Sequence, residues 1–146
     1  MAEKKIRVAI CGYFDPLHIG HLDYMKLAKA LGDELIVIVN NDKQAIRKKG
    51  FVFMPLNERI ELLKSIKWVD KVVESIDDSE SVYKTLEIVK PDIFAKGGDR
   101  NRDNIPKEEI EVCKRLGIKF MDGIGRKIQS SSALLESWST GKNQNI

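Results

Sequence analysis

The stretch Val8-Ala9-Ile10-Cys11-Gly12-Tyr13-Phe14-Asp15-Pro16-Leu17-His18-Ile19-Gly20-His21 decides how the chain is read. An apolar run ends in Gly12, a short turn holds Asp15 and Pro16, and an amphipathic segment follows. That order reads as strand, turn and helix, with His18-Ile19-Gly20-His21 on the first helical turn. Residues at i and i+3 share a helix face, so the two imidazoles converge on one small object. They lie beside the free backbone N–H groups and positive dipole end of that helix, where an anion is stabilised. Gly20, without a side chain, lets the object come close to the backbone. A phosphate fits these features best. Two His at this spacing also suit a metal pair or plain polar residues at a helix start. A metal site wants a third ligand at a matching spacing, and the chain's 2 histidines both fall here. We therefore expect no protein-held metal.

Outward from this stretch, strands and helices alternate. Ile6 to Cys11 reads as a buried first strand and His18 to Leu31 as the first helix, its apolar stripe Leu22, Met25, Leu27, Ala28 and Leu31, with Gly32 at its end. Glu34 to Asn40 is a second strand, followed by a basic loop or short helix from Asn41 to Gly50. Pro55 to Ile66 is a helix, Trp68 to Glu74 a third strand, and Asp77-Asp78-Ser79 the N-terminus of a helix running to Pro91. Asp92 to Lys96 is a fourth strand leading into Gly97-Gly98-Asp99-Arg100. Pro106 to Leu116 is a helix stopped by Gly117, and Ile118 to Met121 the fifth strand. Ser130-Ser131-Ser132 then cap a helix from Ala133 to Trp138. One domain spans residues 1–138, and residues 139–146 form a polar tail expected to be disordered.

Alternation of this kind implies a doubly wound, Rossmann-like α/β domain: five parallel strands with helices on both faces. Ligands of such sheets bind beyond the carboxyl ends of the strands, where the strand order reverses. His18 and His21 follow strand one, Lys48 and Lys49 strand two, Gly97 to Arg100 strand four, and Arg126 to Ser132 strand five. Four loops of unusual composition thus meet at one sheet edge.

Composition limits the function classes. The chain has 146 residues, 42% hydrophobic and 32% charged, as a soluble globular domain does. Its net charge of +3 has no Lys/Arg block and gives no reason to expect a nucleic-acid partner. No apolar run reaches membrane-span length, and Met1-Ala2-Glu3-Lys4-Lys5 opens no signal peptide, so the expected compartment is the cytoplasm and no membrane partner is expected. Cys11 and Cys113 make no disulfide framework. The gathered His, Lys/Arg, hydroxyl and backbone N–H groups contain no Ser-His-Asp or Cys-His set. They suit transfer at phosphorus, where positioning and neutralisation of charge do most of the catalysis. A polyphosphate held there would carry a divalent cation, expected to be Mg2+, to shield its charge.

Gly12-Tyr13-Phe14-Asp15-Pro16-Leu17-His18-Ile19-Gly20-His21-Leu22 resembles the H-x-G-H signature of the cytidylyltransferase-like nucleotidyltransferases. The likeness runs from Ile6 to about Leu135 and includes Val39-Asn40-Asn41-Asp42, Pro55-Leu56-Asn57-Glu58-Arg59, Trp68-Val69-Asp70, Lys96-Gly97-Gly98-Asp99 and Ser130-Ser131-Ser132. Two kinds of member are most similar: adenylyltransferases of heptose 1-phosphate, which serve lipopolysaccharide core synthesis, and cytidylyltransferases of glycerol 3-phosphate.

The resemblance implies that His18 and His21 stabilise the charge growing on the phosphates. It implies that Lys48 or Lys49 reaches the α-phosphate, that Arg126 opens the closing block, and that Ser130, Ser131 and Ser132 cap a helix facing the phosphates. Gly12, Tyr13, Phe14, Asp15, Gly20, Asp42, Arg59, Lys96, Gly97, Gly98 and Asp99 would line the nucleotide, with Asp99 at base and ribose. Lys48 and Lys49 also read as surface lysines, Gly97-Gly98 as a tight turn, and Trp68 and Trp138 as packing residues. The implied activity is transfer of AMP, with ATP favoured over CTP, to a phosphorylated sugar or polyol, with loss of pyrophosphate. Transfer to a flavin or pantetheine phosphate is the alternative within the class, and a nucleotide-binding regulatory module without turnover the alternative outside it. The apolar faces are compatible with a homodimer, as many relatives form.

Overall fold

The computed structural model describes residues 4–97 and 105–124. The strands are β1 (Arg7–Gly12), β2 (Glu34–Val39), β3 (Lys71–Glu74), β4 (Ile93–Gly97) and β5 (Lys119–Ile124). The helices are α1 (Ile19–Lys29), α2 (Asp42–Lys49), α3 (Leu56–Lys64), α4 (Tyr83–Val89) and α5 (Lys107–Leu116). All strand pairs are parallel, in the order β3-β2-β1-β4-β5. The chain winds outward from β1 through β2 to β3, then returns to the other side of β1 for β4. The order therefore reverses between β1 and β4, and a crevice opens at their carboxyl ends.

The inner strands β1, β2 and β4 are apolar at successive positions because both of their faces are covered. Val8 and Ile10 of β1, with Leu35, Val37 and Val39 of β2, pack on Met25 and Ala28 of α1 and Leu63 of α3. Their neighbours Ala9, Ile36 and Ile38 pack on Leu86 and Val89 of α4 and Val112 and Cys113 of α5. The period of two along each strand thus feeds two separate cores. Each fully buried aliphatic side chain contributes about 1.5–3 kcal/mol.

Three local expectations shift. Leu27, expected on the apolar stripe of α1, is exposed, and the helix stops at Lys29. At 100° per residue Leu27 falls outside the arc that Met25 and Ala28 share. Helix α4 begins at Tyr83 instead of near Asp77, yet Asp77 still serves its start: its carboxylate accepts the N–H groups of Lys84 at 2.9 Å and Thr85 at 3.1 Å. Strand β5 runs on to Ile124, held beside Gly97 across an irregularity in its pairing with β4. Gly117 ends α5 at φ 70°, the left-handed conformation that glycine adopts without penalty. No helix among the described residues is long and apolar enough to cross a membrane.

Candidate active site

The site begins where β1 ends. At Gly12 an added Cβ would stand 2.8 Å from Cζ of Phe14, so glycine is what lets that ring fold back over the strand. Phe14 itself takes φ 52°, a left-handed conformation uncommon for a bulky residue. Its buried ring meets His21 edge to face, with centroids 4.9 Å apart. Packing on the strand thus positions an imidazole.

The two histidines then build the start of α1 by themselves. His18 Nδ1 accepts the Gly20 N–H at 3.1 Å, and His21 Nδ1 accepts the His18 N–H at 3.2 Å. The arrangement is the reciprocal capping usually made by Ser and Glu. It has a chemical consequence. A neutral imidazole whose Nδ1 accepts carries its proton on Nε2, so both rings keep a donor for a ligand. The rings stack 3.7 Å apart at 23°, which holds the two donors side by side. Burial pushes the His18 pKa down, and burial with the neighbouring His18 pushes His21 down to about 3. Both are neutral donors at pH 7.

The helix start differs from the expected array of free N–H groups. The Gly20 N–H is taken by His18 Nδ1, and the N–H groups of His21 and Leu22 by the His18 carbonyl at 3.0 and 3.4 Å. The ring donors, more than the backbone, are what this turn offers an anion.

Asp15 lies under the turn, fully buried. Its carboxylate accepts the N–H groups of Phe53 at 2.9 Å and Met54 at 2.5 Å, and a salt bridge from Lys49 Nζ at 2.9 Å. Burial alone would raise its pKa; the Lys49 and backbone donors outweigh that and hold it below the usual carboxylate range. Lys49 also donates to the Asp15 carbonyl at 3.1 Å. Of the two candidate lysines, Lys49 is thus bound to the turn, while the Lys48 ammonium stands 4.7 Å above the Tyr13 ring at the surface. The structure brings both to the loop after β1.

Arg59, 1% exposed, joins the same loops. Its guanidinium donates to the carbonyls of Tyr13 at 2.8 Å, Asn40 at 2.7 Å and Met54 at 2.9 Å, and to Asp42 Oδ1 at 2.6 Å. Arg59 and Asp42, which the resemblance placed at the nucleotide, thereby clamp the ends of β1 and β2 to the start of α3. Only a planar fork of five donors serves so many acceptors from one side chain.

Across the crevice, Lys96 near the end of β4 is also buried. Its ammonium lies 2.9 Å from Glu109 Oε1 of α5 and 3.1 Å from Cys11 Sγ of β1. Burial would lower its pKa; the Cys11 sulfur and the Glu109 carboxylate outweigh that and raise it, so the amine stays charged. The other Glu109 oxygen accepts the Ser81 hydroxyl at 2.9 Å and the Val82 N–H at 3.0 Å. Sequence reasoning passed over Glu109. The signal was present: positions 109, 112, 113 and 116 share one helix face, and Val112, Cys113 and Leu116 are apolar. Gly97 closes β4 beside these groups. Gly98, Asp99, Arg126, Ser130, Ser131, Ser132 and Trp138 lie outside the described residues.

A ligand in the crevice would meet two neutral N–H donors, a lysine on an aromatic ring, and loops fixed by buried ion pairs. Those groups can hold and neutralise a polyphosphate.

Comparison with known proteins gives the family. The family model described as cytidylyltransferase-like matches residues 9–134. The FAD synthase of Thermococcus sibiricus is 47% identical over 113 residues, covering 75% of this chain and 74% of that protein. The bifunctional protein HldE of Nitratiruptor sp. is 41% identical over 128 residues, covering 86% of this chain and 26% of that protein. Among solved structures, a lipopolysaccharide core biosynthesis protein of Thermoplasma volcanium superposes with a TM-score of 0.72 at 33% identity, covering 84% of this chain and 99% of that one. With the strand order, the H-x-G-H turn and these relatives in agreement, the chain belongs to the cytidylyltransferase-like family and is a nucleotidyltransferase.

Proposed function

We propose that the protein transfers AMP from ATP to the phosphate of flavin mononucleotide, giving FAD and pyrophosphate, in the cytoplasm. The observation that carries the chemistry is the stacked His18–His21 pair, each ring capping the helix through Nδ1 and presenting Nε2–H. The acceptor rests on relatives: FAD synthases of Thermococcus sibiricus and Pyrococcus abyssi are 47% and 42% identical to this chain.

In the reaction, a phosphate oxygen of the acceptor attacks the α-phosphorus of ATP. The bond from that phosphorus to the bridging oxygen of the β-phosphate breaks, and pyrophosphate leaves with the electron pair. The two Nε2–H groups donate to the oxygens that gain charge, a contribution of about 2.7–4 kcal/mol per donor in comparable sites. Lys48, mounted on Tyr13, reaches the phosphates; Lys49 holds Asp15 and so positions the turn. Among the described residues no three His, Cys, Asp or Glu side chains gather to hold a metal ion. Mg2+ would arrive bound to the polyphosphate as part of the substrate.

A second reading, transfer to heptose 1-phosphate, is favoured by the likeness to HldE and to the Thermoplasma protein. Pyrophosphate release separates the two. ATP or CTP is offered with flavin mononucleotide, heptose 1-phosphate or glycerol 3-phosphate, and products are identified by chromatography. The proposal requires FAD from the ATP and flavin pair at a kcat/KM at least tenfold above every other combination. Faster turnover of heptose 1-phosphate replaces it with the second reading.

A further inference from the structure

The segment between α2 and α3 carries two aromatic rings that packing leaves in water. Phe51 is 47% exposed and Phe53 is 52% exposed. The backbone at and after Phe53 is nevertheless held firmly. The N–H groups of Phe53 and Met54 are bound by the buried Asp15 carboxylate, and the Met54 carbonyl by Arg59 Nε at 2.9 Å. The rings therefore stand outward on a fixed framework. Charge lies beside them: Lys49 Nζ is 5.6 Å from the Phe51 ring centre and 5.8 Å from that of Tyr13, and Lys48 Nζ is 4.7 Å from the latter.

We infer that Phe51 and Phe53 are the platform on which the acceptor's planar ring system docks, with its phosphate directed to Lys48 beside Tyr13. The inference rests on the flavin reading above and deepens it, because it assigns the residues that select a flat aromatic acceptor. Aromatic rings stack on any flat π-system and offer nothing to the hydroxyls of a sugar. A sugar phosphate would need side-chain donors and acceptors, and Phe51, Val52 and Phe53 supply none. The same side chains that make the segment an oily patch in water make it a selective surface for a flavin. Ring and phosphate are covalently joined in that acceptor, so a platform next to a cationic corner engages both at once.

The full-length chain is tested as wild type, as Phe51→Leu and Phe53→Leu, and as the double variant Phe51→Ala/Phe53→Ala. Flavin mononucleotide is titrated by the quenching of its fluorescence, and KM values for flavin mononucleotide and ATP are measured by pyrophosphate release. The rings are exposed, so all variants should melt within a few degrees of wild type. The double variant should raise Kd and KM for flavin mononucleotide about 10–100-fold, as loss of stacking does, with KM for ATP within twofold. FAD formation with an unchanged flavin KM in the double variant overturns the platform and leaves the proposed function standing. A dimer in the wild type that becomes a monomer in the double variant, at unchanged flavin KM, overturns it in favour of a contact between copies. No FAD from the wild type, with turnover of a sugar phosphate instead, removes the acceptor reading and the platform together.

Discussion

His18 and His21 each do two tasks with one ring. The Nδ1 atoms finish the backbone of α1, which leaves the Nε2–H groups for the phosphates in the proposed reaction. The tasks can be separated. Asn is as good a helix cap as exists but lacks a distant N–H on a rigid ring. His18→Asn should keep the melting temperature within a few degrees and lower kcat/KM about 10²–10³-fold, by steady-state pyrophosphate release. Undiminished turnover would show that the Nε2–H is not used.

The depressed pKa values make a second test at this scale. The unfolded chain takes a proton on each His near pH 6.5, whereas folded His21 resists protonation down to about 3. The unfolded state thus binds more protons below 6.5, so stability is fully present above that pH and declines as pH falls towards 3. Urea midpoints at pH 7, 5.5 and 4.5 should fall in that order, and His21→Gln should flatten the decline. Equal slopes for the two proteins would show that His21 is not the group responsible.

Among the elements, β1, β2 and α3 are joined at their site ends by one guanidinium. Three carbonyls and Asp42 lose their donor if Arg59 becomes Met, and two of the carbonyls belong to loops that line the crevice. Leaving buried acceptors unpaired costs about 1–3 kcal/mol each before relaxation. Arg59→Met should therefore lose roughly 2–4 kcal/mol in urea unfolding, with a raised KM for ATP because Tyr13 and the Asp15 turn are no longer held. Arg59→Lys should recover little, since a point charge cannot fork to four acceptors. A full recovery by lysine would show that charge alone, and not geometry, is what the loops need.

Over the whole molecule, the two windings of the sheet meet at a buried ion pair. Lys96 of β4 and Glu109 of α5 sit against Cys11 of β1, and Glu109 also holds the start of α4. Breaking one side leaves a charge in the interior, which is worse than removing both. Glu109→Gln should cost about 2–4 kcal/mol, and adding Lys96→Met should return most of it. A double-mutant cycle by urea unfolding checks this; simple additivity would show that the pair is not coupled.

The alternation of strands and helices, and the strand-turn-helix that ends at His18 to His21, were legible in the order of residues alone. Parallel strands covered on both faces must be apolar, and Gly12 followed by a turn and His at i and i+3 marks where the first strand hands over to a helix, so local chemistry sufficed. The end of α5 was equally legible, because Gly117 takes a backbone angle that other residues resist. Folding settled which of these charges the protein itself binds. Lys48 and Lys49 are adjacent and chemically identical, and what separates them is that Asp15, some thirty residues away in the chain, binds one of them. Asp15, Asp42 and Arg59 all read as ligand contacts in a loop motif; in space Arg59 binds Asp42 and three backbone carbonyls, and Asp15 binds Lys49 and two backbone N–H groups. Burial sorts like residues by partner, and partners come from segments that meet only when the sheet has formed.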